Sequence, residues 1–304
     1  MISKRYIGYV LAFLIASVPA RYAAAESIFS PSAPSAGVKK DVPFVPTPTE
    51  VVERMLSMAK VTGRDIVYDL GCGDGRIVIT AAKKHGARGV GIDIDPERIK
   101  ESKENARAAG VTEKVRFLQQ DLFKANVREA TVVTMYLLNS VNLKMRPLLL
   151  SQLRPGTRIV SHSFDMGEWR PDDSSTLSQS VYYWVVPANA SGRWKWKNGK
   201  EKFEMQLRQK FQQAEGTVTR NGVSFPMKNV RLSGDRLSFN VQYAAGKKPV
   251  TASFTGKIAG ESIRGTIKKQ SGKGVAWQAR RERGTVQRID GEGETPTAGS
   301  GRAI

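Results

Sequence analysis

The sequence predicts an α/β protein: a Rossmann-like, mainly parallel sheet of seven strands, followed by a small antiparallel β domain. Three observations carry this. First, an apolar run, Asp65-Ile66-Val67-Tyr68, leads into Asp69, three alternating glycines (Gly71, Gly73, Gly75) and a helical pattern from Ile77 to Lys84. A buried strand, a tight glycine turn and a helix start form the first unit of a nucleotide-type α/β fold. Second, short strand patterns alternate with helical ones as far as Val186, which implies parallel pairing. Third, from Gly192 the texture changes to alternating apolar residues punctuated by Asn198-Gly199 and Asn221-Gly222, both tight-turn signals.

Before the first strand, Thr49 is placed to cap a helix whose apolar face is Val51, Val52, Met55, Leu56, Met58 and Ala59. A second strand, Gly89 to Ile92, runs into Asp93. Asp95-Pro96 then opens a helix, with proline at a favoured first position. A third strand, Val115 to Leu118, leads to Asp121. Ala130 to Tyr136 reads as the fourth, Leu148 to Leu150 lie on a helix, and Arg158 to His162 reads as the fifth. Tyr182 to Val186 closes the sheet. The ligand of such a sheet sits beyond the strand C-termini, and Gly71, Asp93, Asp121 and Tyr136 all fall on that edge.

The glycine spacing narrows the ligand. Dinucleotide binders need glycine at position 76, where Arg76 stands, and no P-loop Lys-Ser or Lys-Thr follows. What remains, Asp69 followed by G-x-G-x-G, resembles motif I of class I S-adenosylmethionine-dependent methyltransferases. That cofactor carries an amino group and a sulfonium, so the Asp69 carboxylate favours it. Asp93, at the second strand's end, is placed for ribose hydroxyls. In these methyltransferases the position of Asp121 reaches the adenine amino group. The expected cofactor-binding set is Thr47, Asp69, Gly71, Gly73, Gly75, Asp93 and Asp121. Cys72, the single cysteine, excludes an internal disulfide and reads as a small residue under the cofactor.

A closer resemblance covers roughly residues 43 to 172. Val45-Pro46-Thr47-Pro48, Asp69-Leu70-Gly71, Ala87-Arg88-Gly89-Val90-Gly91, Asp121-Leu122-Phe123, Leu153-Arg154-Pro155-Gly156, Phe164 and Trp169-Arg170-Pro171 carry it. The segment is similar to a seven-β-strand family that includes the mitochondrial protein-lysine methyltransferases of the ATP synthase c-subunit and the adenine nucleotide translocase. The resemblance implies a protein-lysine N-methyltransferase. Tyr136-Leu137-Leu138-Asn139 stands where many amine methylators carry Asn-Pro-Pro-Tyr, which leaves substrate choice open. Tyr136 and Asn139 are the candidate catalytic residues on the acceptor side, with Thr47 closing over the cofactor. Tyr136 also reads as a core aromatic and Asn139 as a helix N-cap. Asp74 and Arg76 are expected to pair locally, and His162 to be structural. No His/Cys/Asp cluster has metal-ligand spacing.

The formal charge is +20. Up to Val185 there are 25 Lys and Arg against 19 Asp and Glu; beyond it, 23 against 9. The basic excess therefore belongs mostly to the second domain and favours polyanions or anionic lipid. With Trp194 and Trp196 at its front, that domain is expected to grip an anionic membrane surface. A nucleic-acid partner is disfavoured, because no RNA- or DNA-binding signature appears.

At the N-terminus, Lys4 and Arg5 precede an apolar stretch from Tyr6 to Val18, and Ala23-Ala24-Ala25 offers a cleavage site. Residues 1–25 read as a signal peptide or an anchor, residues 26–46 as a linker, and the chain as exported or membrane-associated, periplasmic if cleaved. The methyltransferase domain is expected over 47–187, the β domain, barrel or sandwich, over 192–284, and a disordered tail over 285–304. Two alternatives stand beside lysine methylation: a small-molecule N- or O-methyltransferase, and a non-catalytic exported binding protein with a vestigial cofactor site.

Overall fold

The computed structural model describes residues 43–245, 248–269 and 272–290. The leader at 1–25, residues 26–42 of the linker and the tail beyond 290 lie outside the described residues. The first unit runs α1 (Thr49–Met58), β1 (Ile66–Leu70), α2 (Arg76–His85), β2 (Arg88–Asp93), α3 (Pro96–Ala108), β3 (Val115–Gln119), β4 (Val132–Met135), α4 (Asn139–Gln152), β5 (Arg158–His162), β6 (Asp173–Ser175) and β7 (Val181–Val185). Its seven strands lie in the order β3-β2-β1-β4-β5-β7-β6. Strands β1 to β5 pair in parallel, and β1 is buried along Val67 to Leu70, as a strand covered on both faces must be.

Local chemistry sets the joints. Asp95 caps α3 by accepting from Glu97 N–H, with Pro96 in the first turn. Pro48, not Thr49, precedes α1; Thr49 is its first residue. Strand β7 does not close the sheet. It lies inside, antiparallel to β5, and the short β6 forms the edge. Trp184 on β7 donates to Trp169 O at 2.7 Å, and both indoles are fully buried.

The second unit contains β8 (Gly192–Asn198), β9 (Glu201–Lys210), β10 (Gln213–Arg220), β11 (Val223–Ser233), β12 (Arg236–Ala245), β13 (Lys248–Ala259), β14 (Ser262–Lys269) and β15 (Val275–Arg281). They form a closed barrel, sealed where Arg280 pairs with Lys195 and Arg281 with Trp194. Closure removes exposed strand edges. Aromatic rings fill the interior. Phe239 and Phe254 stack at 4.7 Å, and Trp277 stands edge-on to both. Trp194 and Trp196 belong to this core, at 0% and 5% exposure. The expectation that they grip a surface is thereby corrected: strand alternation turns both indoles inward and Arg193, Lys195 and Lys197 outward.

The two units share a core. Phe211, at the β9–β10 turn, is buried in the first unit, stacked on Trp169 at 5.7 Å with the Arg146 guanidinium over its ring. Residues 285–290 correct another expectation, that of a tail disordered from 285. Thr285 Oγ1 accepts from Arg193 N–H, Gln287 N–H donates to Ser191 Oγ, and Phe211 N–H donates to Ile289 O.

Candidate active site

Strand order reverses between β1 and β4, the switch point at which an open α/β sheet leaves a crevice. A cavity of about 310 Å³ lies there. Asp69, Asp93 and Asp121, the three acids at the tips of β1, β2 and β3, all wall it, as do Thr47, Gly71 and Tyr136. Asp69 is 2% exposed, and Thr134 Oγ1 donates to its Oδ1 at 2.7 Å. Burial pushes its pKa up to about 7 despite that bond, with the nearby Asp74 and Asp93 charges adding to the rise. Asp93 is fixed at both oxygens: Gly73 N–H donates to Oδ2 at 2.9 Å and Asp95 N–H to Oδ1 at 3.0 Å. Burial raises its pKa against these bonds. Asp121 accepts from Phe123 N–H at 3.0 Å.

The glycines divide their work. Gly71 has φ +79° and reaches the cavity wall. Gly73 and Gly75 do not wall the cavity, contrary to expectation. The ring of Phe44 covers Gly73, and Phe117 and Ser102 lie 2.7 to 2.9 Å from where a Gly75 Cβ would stand. Their small size serves protein packing, and Gly73 serves the ligand side through its N–H on Asp93. Cys72 is buried and its thiol is pushed well up by burial, which disfavours the nucleophilic thiolate.

Cations around the cavity are engaged with acids. Arg76 grips Asp74, with Nη2 at 2.5 Å from Oδ2, and also donates to Thr47 O at 2.9 Å. Arg98 pairs with Glu101 at 2.5 Å and lies over the Phe44 ring at 4.7 Å. Three converging carboxylates, one of them held near neutrality by burial, fit a ligand that brings positive charge and sugar hydroxyls. The donor set therefore suits S-adenosylmethionine.

Tyr136 faces the cavity, 3.8 Å from the His162 ring and 6.3 Å from that of Phe164. Asn139 does not join it. It is exposed at the start of α4, where Leu138 is the cap residue, and its Nδ2 donates to Asp165 Oδ1 at 2.9 Å. Asn142 holds the neighbouring loop by donating to Phe164 O at 3.1 Å and Asp165 O at 3.2 Å.

Several site residues escaped sequence reasoning. Residues 43–46, assigned to a linker, wall the cavity; the signal was there in Pro43 and Pro46, which bracket a stiff extended segment. His162 is structural as expected, but in a specific way. Gln179 Oε1 accepts from its Nε2 at 2.5 Å, leaving Nδ1 to accept from Thr47 Oγ1 at 3.2 Å. Burial lowers its pKa, so the ring is neutral and Nδ1 keeps its lone pair. Nothing local links positions 47, 162 and 179.

Sheet order and carboxylate cradle together define a class I methyltransferase. The domain family described as the ANTKMT methyltransferase domain matches residues 69–173. A protein-lysine N-methyltransferase of Saccharolobus islandicus (strain REY15A) is 47% identical over 151 residues, 48% of this chain and 94% of that protein. The ATP synthase c-subunit lysine N-methyltransferase of Homo sapiens is 30% identical over 172 residues, 56% of this chain and 71% of that protein. A solved RNA methyltransferase of Salinibacter ruber with bound S-adenosyl-L-homocysteine is 59% identical, covers 46% of this chain and 93% of its own, and has a TM-score of 0.46. The chain belongs to the ANTKMT methyltransferase family and is an S-adenosylmethionine-dependent enzyme, which sets aside the non-catalytic alternative. Barrel strands β8 to β15 lie outside the family match.

Proposed function

We propose that the methyl acceptor is the ε-amine of a protein lysine. The observation that carries this reading is the acceptor-side wall. Tyr136, Leu137, Leu138, Val141 and Phe164 are aromatic or aliphatic, and Leu138 is 37% exposed, so the wall reaches the surface. A long, thin side chain can enter such an opening while its backbone stays outside. The names of the two lysine methyltransferase relatives support the same acceptor.

The bound donor supplies an electrophilic methyl on a positive sulfonium. The chain must supply a neutral amine in line with it. Lysine at pH 7 is almost entirely protonated, a deficit of about 5 kcal/mol. An apolar wall disfavours the ammonium form and so shifts that equilibrium toward the free amine. The amine proton would leave to solvent before attack, and the donor would supply the methyl group, its bond to sulfur breaking as the bond to nitrogen forms. Orientation of the amine supplies up to about 7–11 kcal/mol of the barrier, so no strong general base is required. Asp69, Asp93 and Asp121 would hold the donor, with the Thr47 segment over it. The hydroxyl of Tyr136 has no hydrogen-bond partner among the described residues and is the polar group on the acceptor side that can orient an amine.

Incubating the full chain with methyl-labelled S-adenosylmethionine and a protein extract tests the acceptor. After acid hydrolysis, label is expected in methyl-lysines. Label confined to small molecules would transfer the assignment to the small-molecule alternative.

A further inference from the structure

The barrel has two chemically different walls. On β8 and β9, outward cations meet acids: Arg193 pairs with Glu282 at 2.9 Å and Glu204 at 3.5 Å, and Lys195 pairs with Glu282 at 2.8 Å. Across β11 to β15 they do not. Between Val223 and Arg281 the sequence carries 12 Lys and Arg but only 2 Asp and Glu. Both acids are already engaged, Asp235 with Lys257 at 3.1 Å and Glu261 with the buried Arg281 at 3.3 Å. Lys228, Arg231, Arg236, Arg264, Lys268 and Arg280 are exposed and make no ion pair among the described residues.

Register sharpens the contrast. Arg236 stands directly opposite Lys257, and Lys257 directly opposite Arg264, so three cations line up across adjacent strands. Like charges in that relation destabilise a sheet. Between and below them lie Ser238, Thr255, Thr266, Asn240 and Ser253, all small hydrogen-bonding groups. Solubility needs only a mixture of signs, which the opposite wall already has. A row of cations in which only Lys257 meets a carboxylate, set among hydroxyls, fits phosphate-bearing partners.

We infer that this wall docks the enzyme on an anionic lipid surface. A convex barrel side matches a broad headgroup layer, and each surface cation near such a layer contributes about fivefold in binding. The large apolar residues exposed on the barrel, Val223 and Val275, sit at strand ends, and among the barrel's described residues no exposed aromatic offers a stacking platform for nucleic-acid bases. The inference is independent of the acceptor assignment and can fail without it.

Co-sedimentation of the full chain with phosphatidylcholine vesicles, with and without phosphatidylglycerol, tests it. Phosphatidylglycerol is expected to strengthen binding, and rising salt to abolish that gain. The variant R236Q/R264Q/K268Q is expected to lose roughly a hundredfold of the gain, at about fivefold per cation. The variant R193Q/K195Q, on the paired wall, is expected to change it by less than about twofold. Unchanged urea-unfolding midpoints in both variants show that the barrel still folds. No effect of phosphatidylglycerol on the wild type, or equal losses from the two walls, would overturn the inference. So would displacement from the vesicles by duplex RNA at lower phosphate concentration than the lipid presents, which would assign the wall to nucleic acid.

Discussion

The sheet and the barrel are both made of short strands, yet they place their chemistry in opposite locations. An open parallel sheet ends in free tips, and its strand order opens a crevice where the chain reverses direction. Asp69, Asp93 and Asp121 occupy those tips, one per strand. A closed antiparallel barrel has no such crevice. Its interior is filled by Trp194, Trp196, Phe239, Phe254 and Trp277, so what remains for interaction is the outer wall. Buried charge marks the working part of the first unit, and unpaired exposed charge marks that of the second. Phe211 is the exception, a barrel residue inside the methyltransferase core.

The contrast can be broken by mutation. Trp277→Ala removes a ring that touches Trp196, Phe239 and Phe254. It is expected to cost about 3–5 kcal/mol of barrel stability in urea unfolding, with cofactor affinity kept within about twofold. A parallel loss of cofactor affinity would show that the two units are not functionally separable. Asp93→Ala is the reciprocal test. It is expected to weaken S-adenosylhomocysteine binding by about a hundredfold or more, since charge-assisted hydrogen bonds contribute about 1.5–3 kcal/mol each, and calorimetry would read this. A loss below tenfold would remove Asp93 from the ribose role.

Acidity sharpens the comparison further. Asp69 has a folded-state pKa of about 7 against an ordinary value of 3.8. Between those values the folded ligand-free chain holds a proton that the unfolded chain has lost. Its contribution to stability is therefore full below about pH 3.8 and lost as pH rises through about 7. A cationic ligand favours the carboxylate, so binding should release a proton at pH 6. Affinity is then expected to rise as pH increases toward 7, by at most about tenfold per unit, and Asp69→Asn should flatten the profile. A wild-type profile flat between pH 5 and 7 would contradict this.

The smallest expected effect belongs to His162. Replacing it by Gln breaks the Gln179–His162–Thr47 chain, which holds the segment over the cavity. The expected result is an increase of about fivefold in KM for the cofactor, about 1 kcal/mol, with kcat changed less. The wild-type KM should also rise below the pKa of His162, where Nδ1 gains a proton and can no longer accept from Thr47. An equal fall in kcat without change in KM would place His162 in the chemistry itself.

Local patterns were legible in the sequence; distant closures were not. Asp69, the glycines and the acids at positions 93 and 121 could be placed because each follows its own strand within a few residues. The Arg76–Asp74 pair could be read for the same reason. The alternation Arg193-Trp194-Lys195-Trp196-Lys197 puts indoles and cations on opposite faces of a strand, so the expectation that both meet one surface runs against a period that is legible in the sequence. Barrel and sandwich could not be separated, because the decisive pairing joins Lys195 to Arg280, far apart in the chain. The place of β7 inside the sheet depends on the return of β6 outside it. Phe44 and His162 acquire roles only when the N-terminal segment folds over β5, and no periodicity encodes that contact.

Crystals of the full chain grown with S-adenosylhomocysteine test the carboxylate cradle most directly. The expected result is the nucleoside lodged between the tips of β1, β2 and β3, with its ribose hydroxyls on Asp93 and its amino-acid end toward Asp69 under the Thr47 segment. A ligand bound elsewhere, or a cavity still empty at saturating ligand, would contradict it.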